Sequence, residues 1–385
     1  MNIEHQYLHH FYFISASVDR VCAEALLRGA DVFKPGVICA SGDIRMDTEL
    51  EVWGDVTGNF EVDIGDVKGS KRGGKKANNR GCKLSSFKGH LLFIGKGKSL
   101  VPKAGALFNE NHGVGVEMVE LASGRKGVGL HDIGMEGKWF MQNLPSLLPP
   151  VSLLSSLTPH SPTPRVLDMC CAPGGKTNHL SCILRDLGHL KQPGVLTCVD
   201  RSTKKMVGVR DMLDRAGFEN VVTLAGDSQA LLGEDGCEEP EFKMGVVNKA
   251  KPYPPKTFTH ILLDPPCSAL GLRPRLQLPS ADGVGDYEGY QTGFMHAAAG
   301  LLVEGGIMTW STCTWNPNEN EVAVKRIRDE YGFEVIDVGV EHGREGIGGA
   351  GLDLSERRMV RRFDWMEEGE EGDGIGFFVA KLRKL

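Results

Sequence analysis

Hydrophobic positions along the chain follow two different rhythms, and the change falls near residue 138. Up to about residue 122 the apolar residues come in short alternating runs, at 31–39, 50–55, 91–95 and 113–119, with glycines between them. Period-two alternation over strand length, broken by turn residues, predicts a small β-barrel and not a helix bundle. Residues 1–19 show no clear period, and glycine and charge across 123–137 mark a linker. From 138 to 385 solid apolar runs alternate with longer stretches of helical period. Strands are predicted at 166–169, 194–199, 220–224, 260–263 and 306–310, and helices at 176–187, 202–216, 287–302 and 318–331. A proline-containing insert covers 233–257, and 376–382 reads as a last, antiparallel strand. Such alternation predicts a doubly wound, mostly parallel, Rossmann-like α/β sheet with right-handed crossovers.

Bulk composition narrows the class. The 385 residues include 41% hydrophobic and 24% charged positions, the proportions of a globular protein. No apolar run reaches the roughly 18 residues of a membrane span, and the first residues lack the pattern of a signal peptide. Ten cysteines are scattered without any Cys-x-x-Cys pair, so reduced thiols in the cytoplasm or nucleus are expected and no metal site. His5, His9 and His10 crowd the amino terminus, where a solvated end is the simpler reading. The net charge of −6 hides a basic block from Lys68 to Lys103 without Asp or Glu. Its inner part, with Lys71, Arg72, Lys75 and Lys76, is a candidate phosphate-binding surface, the alternative being a flexible basic loop. An acidic run at 367–373 balances it.

Three stretches carry candidate chemistry. Asp168-Met-Cys-Cys-Ala-Pro-Gly-Gly-Lys-Thr177 joins the first strand and helix of the second domain. Adjacent glycines let backbone pass close to a ligand, and a helix amino terminus favours a negative group. The run matches neither the triphosphate nor the dinucleotide fingerprint. Asp200 closes the next strand, placed for two ribose hydroxyls, and Asp227 follows the third; together they suit S-adenosylmethionine, with plain strand-end caps as the alternative. In His260-Ile-Leu-Leu-Asp-Pro-Pro-Cys-Ser268 an apolar strand ends in Asp264, two prolines and Cys267. Ser311-Thr-Cys-Thr-Trp-Asn-Pro-Asn-Glu-Asn-Glu321 places Cys313 at the end of a neighbouring strand. A lone buried cysteine acts as a small hydrophobe, which accounts for Cys182 and Cys198. It accounts poorly for two thiols at equivalent strand ends beside a methyl-donor site. Methylation of cytosine at carbon 5 needs a thiolate on carbon 6 to make the ring nucleophilic, and a base freed from its stack.

Residues 28–37, Arg-Gly-Ala-Asp-Val-Phe-Lys-Pro-Gly-Val, resemble a PUA domain, a small RNA-binding barrel. The three chemical stretches resemble the NSUN family of RNA cytosine-5 methyltransferases, most of all its PUA-containing member, which modifies tRNA near the acceptor end. The resemblance implies four segments: an N-terminal piece 1–19, a PUA-like barrel 20–122, a linker 123–137, and an S-adenosylmethionine-dependent methyltransferase domain 138–385. It implies Cys313 as nucleophile, Cys267 in product release, Asp264 on the cytosine ring and Lys176 near both. Cys170, Cys171, Ala172, Pro173, Gly174, Gly175, Lys176, Asp200, Lys205, Asp227 and Asp264 would hold the cofactor, with no metal. RNA, tRNA in particular, is the implied partner, with no obligate protein partner. Ribosomal RNA methylation and a catalytically silent RNA-binding protein are the alternatives. The intact cysteine pair opposes the silent reading, and the barrel opposes the ribosomal one. DNA enzymes of this chemistry use the Pro-Cys thiol and need no Thr-Cys. The chain departs from the family at Pro265 and Ala269, and in 361–365, where the role of Arg362 is open. Sequence that precedes the barrel in the family is nearly missing, so a truncation or a different arrangement is expected.

Overall fold

The computed structural model describes residues 14–40, 44–56, 90–103, 107–108, 112–122, 124–125, 140–272, 275–276, 286–363 and 375–385. The chain divides into two compact units, 1–133 with 274–278, and 134–273 with 279–385. Lys71, Arg72, Lys75, Lys76, the three amino-terminal histidines and most of the linker lie outside the described residues.

In the first unit the strands are β1 (Ser15–Val18), β2 (Val32–Phe33), β3 (Val37–Ala40), β4 (Glu49–Asp55), β5 (Leu91–Ser99), β6 (Val114–Leu121) and β7 (Gly124–Arg125). They pair in the order β2-β6-β5-β4-β1-β3, with β7 beside β6. The two ends of that order, β2 and β3, are joined only by the 3-10 turn Lys34–Gly36. A flat sheet of six strands would be about 24 Å wide, whereas so short a link spans at most about 14 Å. The sheet therefore curls back on itself, as a barrel requires. Inside it Val18, Leu26, Val32, Val52, Ile94 and Val116 are fully buried. Three elements were not expected: β1, which falls in the segment 1–19 yet pairs with β3 and β4, β7, which falls in the linker, and α1 (Arg20–Leu27), capped by Asp19, whose carboxylate accepts the Cys22 amide at 2.8 Å.

The second unit has β8 (Val166–Asp168), β9 (Leu196–Asp200), β10 (Val222–Ala225), β11 (Val247–Lys249), β12 (Phe258–Leu263), β13 (Leu302–Thr312), β14 (Phe333–Ile336), β15 (Arg361–Phe363) and β16 (Phe377–Lys384). Its helices are α2 (Leu144–Leu154), α3 (Gly175–Asp186), α4 (Thr203–Arg215), α5 (Tyr287–Leu301), α6 (Glu321–Tyr331) and α7 (Leu354–Met359). The sheet runs β11-β10-β9-β8-β12-β13-β16-β14, with β15 on β16. Strands β11 through β13 in that order are parallel, and β16 is antiparallel to both neighbours, as expected from the sequence. The insert is less irregular than expected, since β11 lies within it and extends the sheet edge. After β8 the chain moves outward through β9 and β10, then returns to lay β12 on the other side of β8. That reversal opens a crevice at the carboxyl ends of β8 and β12, where such sheets bind ligands.

Candidate active site

Strand β12 runs out at Leu263 beside Trp310 of β13, so the residues that follow each strand emerge side by side. Cys267 Sγ and Cys313 Sγ stand 3.3 Å apart, both half-buried. Asp264 uses one carboxylate oxygen on Lys176 Nζ at 2.7 Å and the other on Ser311 Oγ at 2.7 Å. Lys176 comes from the first turn of α3 and Ser311 from the end of β13, so the carboxylate is gripped from two sides of the crevice. Four of the expected catalytic residues are thereby brought together.

Electrostatics separates the two thiols. The hydrogen bond to Cys313, followed by burial, pushes the Cys267 thiol far up. The same hydrogen bond, received by Cys313, draws its thiol below the ordinary value of 9.0; burial and Asp264 oppose that shift and the Lys176 charge assists it. Of the pair, Cys313 is thus the thiol more easily ionised. Burial pulls Lys176 down, but Asp264 outweighs it, and the ammonium is held above its usual value.

A cavity of about 280 Å³ is lined by Cys170, Asp200, Arg201, Lys205, Asp227 and Tyr290 among others, and reaches Pro266, the neighbour of Cys267. Tyr290 stacks edge-on against Phe294 at 5.4 Å, and both form its wall from α5. These aromatics were missed: their i, i+4 spacing marks one helix face but not what that face meets. Asp200 accepts the Ser202 amide at 2.9 Å and Asp227 the Gln229 amide at 3.1 Å, so each caps its own turn as well as facing the cavity. Burial pushes the Cys170 thiol well up, with Asp168, Asp264, Asp200 and Asp227 adding to it. Asp200 and Asp227 can take ribose hydroxyls and a positive centre, Arg201 and Lys205 a carboxylate, and the Tyr290–Phe294 wall an adenine face, so the residues fit S-adenosylmethionine.

The glycine run is packed closely by the protein itself. Gly174 has a positive φ of 108°, and a Cβ there would stand 2.8 Å from Met212 Cε. At Gly175 a Cβ would meet Phe140 Cε1 at 2.6 Å and Gln142 Nε2 at 2.8 Å. Both glycines thus admit the protein's own side chains. Cys171 is buried in the core against Met206, and Ala172 and Pro173 line a separate cavity between α3 and α4. Only Cys170 of the 170–175 run lines the cavity of Asp200 and Asp227. Among the described residues no cluster of three metal-ligating side chains occurs, and no helix is long and apolar enough to cross a membrane.

Comparison with known proteins places this geometry. The family model described as 16S rRNA methyltransferase RsmB/F matches residues 155–383, more than half of the chain. The chain belongs to the RsmB/F methyltransferase family. Among curated relatives, the Arabidopsis thaliana rRNA (cytosine-C(5))-methyltransferase NOP2C is 29% identical over 95% of this chain and 72% of its own length. The human tRNA (cytosine(72)-C(5))-methyltransferase NSUN6 is 28% identical over 96% of this chain and 75% of its own. The crystal structure of NSun6 from Pyrococcus horikoshii with SFG shares the fold, with a TM-score of 0.65 over 97% of this chain and 77% of that one, at 24% identity. The RsmB/F assignment agrees with the resemblance of the three chemical stretches. The match to NOP2C also runs through the first unit, so the barrel by itself does not separate tRNA from rRNA enzymes as expected.

Proposed function

We propose that this RsmB/F protein is an RNA (cytosine-5)-methyltransferase that acts on tRNA. The observation that carries the reading is the pair of thiols 3.3 Å apart at adjacent parallel strand ends, with Pro266, the neighbour of Cys267, lining the cavity of Asp200 and Asp227. In this reading the Cys313 thiolate adds to carbon 6 of an unstacked cytosine, forming a carbon–sulfur bond and moving electron density to carbon 5. Asp264, aimed by Lys176 and Ser311, hydrogen-bonds the ring and favours protonation of its nitrogen. Asp200, Lys205 and Asp227 would hold S-adenosylmethionine, which would supply the methyl group to carbon 5 and leave as S-adenosylhomocysteine. Cys267, once its own thiol proton has passed to solvent, takes the proton from carbon 5; the ring double bond re-forms, the carbon–sulfur bond breaks, the ring nitrogen gives up its proton, and Cys313 leaves as thiolate. The first unit is read as the PUA-like domain that holds the RNA, with Lys71, Arg72, Lys75 and Lys76 on phosphates.

The tRNA reading is supported by the likeness to NSUN6 along nearly the whole chain. A ribosomal substrate is the second reading, favoured by the similar likeness to NOP2C. Bisulfite mapping after incubation with total RNA tests both: signal in tRNA acceptor stems is expected, and signal confined to rRNA overturns the first reading. Cys313→Ala should abolish transfer, whereas Cys267→Ala should leave a covalent protein–RNA adduct on a denaturing gel. An adduct in Cys313→Ala and none in Cys267→Ala would reverse the two roles.

A further inference from the structure

Beyond Cys313 the chain buries three consecutive polar side chains, Glu319, Asn320 and Glu321, each no more than 1% exposed. Taking such groups out of water is costly unless their bonds are replaced, so their partners show what they hold. Glu319 accepts from Ser268 twice, from its backbone N–H at 2.9 Å and its Oγ at 2.5 Å, and from Asn316 Nδ2 at 2.9 Å and Gln291 Nε2 at 3.3 Å. Gln291 Nε2 also donates to the Pro266 carbonyl at 2.9 Å, so both neighbours of Cys267 are tied. Asn320 brackets Cys313 in the same way. Its Oδ1 accepts from Thr312 Oγ1 at 2.5 Å and its Nδ2 donates to the Thr314 carbonyl at 3.0 Å. A carbonyl only accepts, which fixes the orientation of the amide. Ser268 Oγ and Thr314 Oγ1, 2.8 Å apart, join the two loops directly. Glu321 completes the run: it binds Arg362 Nη1 at 2.8 Å, and Arg362 Nη2 donates to the Trp315 carbonyl at 2.5 Å.

We propose that Glu319 and Asn320 are positioning residues with divided tasks, Glu319 aiming Cys267 through Ser268 and Asn320 aiming Cys313 through Thr312 and Thr314. The inference rests on the reaction proposed above. Glu319→Gln keeps the volume but leaves one acceptor oxygen where four donors converge, and Asn320→Asp turns a carboxylate oxygen on the Thr314 carbonyl. A displacement of about 1 Å costs on the order of 100-fold in rate, so kcat should fall about 10- to 100-fold in each, with KM for RNA and S-adenosylmethionine unchanged. The decisive readout is the covalent protein–RNA adduct during turnover. It should accumulate in Glu319→Gln, where release is slowed, and fall below wild type in Asn320→Asp, where attack is slowed. Ser268→Ala and Thr312→Val each cut one bond of its set from the loop side, the hydroxyl to Glu319 and the hydroxyl to Asn320, and should reproduce the two phenotypes in weaker form even if the first pair fails to fold. Folded variants whose adduct levels match wild type, or move in the same direction, overturn the division of tasks. A wild-type enzyme that neither forms an adduct nor methylates cytosine would instead sink the reaction on which it rests.

Discussion

Replacing Gly271 by alanine tests how tightly the loop after Cys267 is packed. A Cβ at Gly271 would lie 2.7 Å from the Gly376 Cα and closer still to its carbonyl, and both obstacles are backbone. Gly271 N–H donates to the Cys313 carbonyl at 3.0 Å, while its own carbonyl accepts from Gly376 N–H at 2.8 Å. Restoring ordinary contact requires the two segments to part by about 1 Å, which both bonds cannot survive. Losing one or two bonds at about 1 kcal/mol each and overpacking by about 1–3 kcal/mol predicts a destabilisation of about 3 kcal/mol. Because one bond ends on Cys313, a folded Gly271→Ala enzyme should also lose on the order of 100-fold in kcat. Urea unfolding gives the first quantity and initial methylation rates the second. Gly208, exposed within α4 with nothing near its Cβ position, is the control: alanine there should stabilise by about 0.5–1 kcal/mol. A Gly271→Ala protein with the wild-type urea midpoint and a kcat within twofold would refute the reasoning.

Two further predictions concern protons. Lys176→Met removes a charge that helps hold the Cys313 thiol down, so the inflection of methyl transfer against pH should move to higher pH; an unmoved inflection would exclude Lys176 from thiolate stabilisation. His260 is 8% exposed, and burial, followed by Lys381, lowers it from 6.5 to about 4. The folded state therefore prefers the neutral ring: this stability is whole above pH 6.5 and is lost as pH falls toward 4, by about 3 kcal/mol. Denaturant midpoints of His260→Gln should be flatter than wild type across that window, and an equal slope would count against the assignment.

The parallel sheet was legible because its strands are buried on both faces and read as solid apolar runs, and because Asp264, Cys267 and Cys313 fall where those runs stop. The sequence was silent where packing overrides local preference. Helix α2 holds Pro149 and Pro150 in its interior, two positions that cannot donate to the helix ladder, and it persists because Leu148, Pro149, Pro150, Leu153 and Leu154 are buried. Strands β11, β14 and β15 are three or four residues long, too short for periodicity to register. The cavity wall from α5 and the bonds of Glu319 join positions distant along the chain, which no local spacing reveals. Gly174 and Gly175 also make room for Met212 and Phe140, a need that looks the same in sequence as room for a ligand.

The bond between the two sulfurs implies an order of events in the proposed reaction. Cys267 holds its proton chiefly because Cys313 accepts it, and that acceptance depends on Cys313 being a free thiolate. Once the Cys313 sulfur is bonded to carbon it is a neutral thioether and a poor acceptor. The largest cause that held the Cys267 proton is then removed, while burial and Asp264 remain. In the proposed reaction, attachment at Cys313 therefore eases deprotonation of Cys267, the thiol assigned to end the cycle, against the burial and the Asp264 charge that still oppose it.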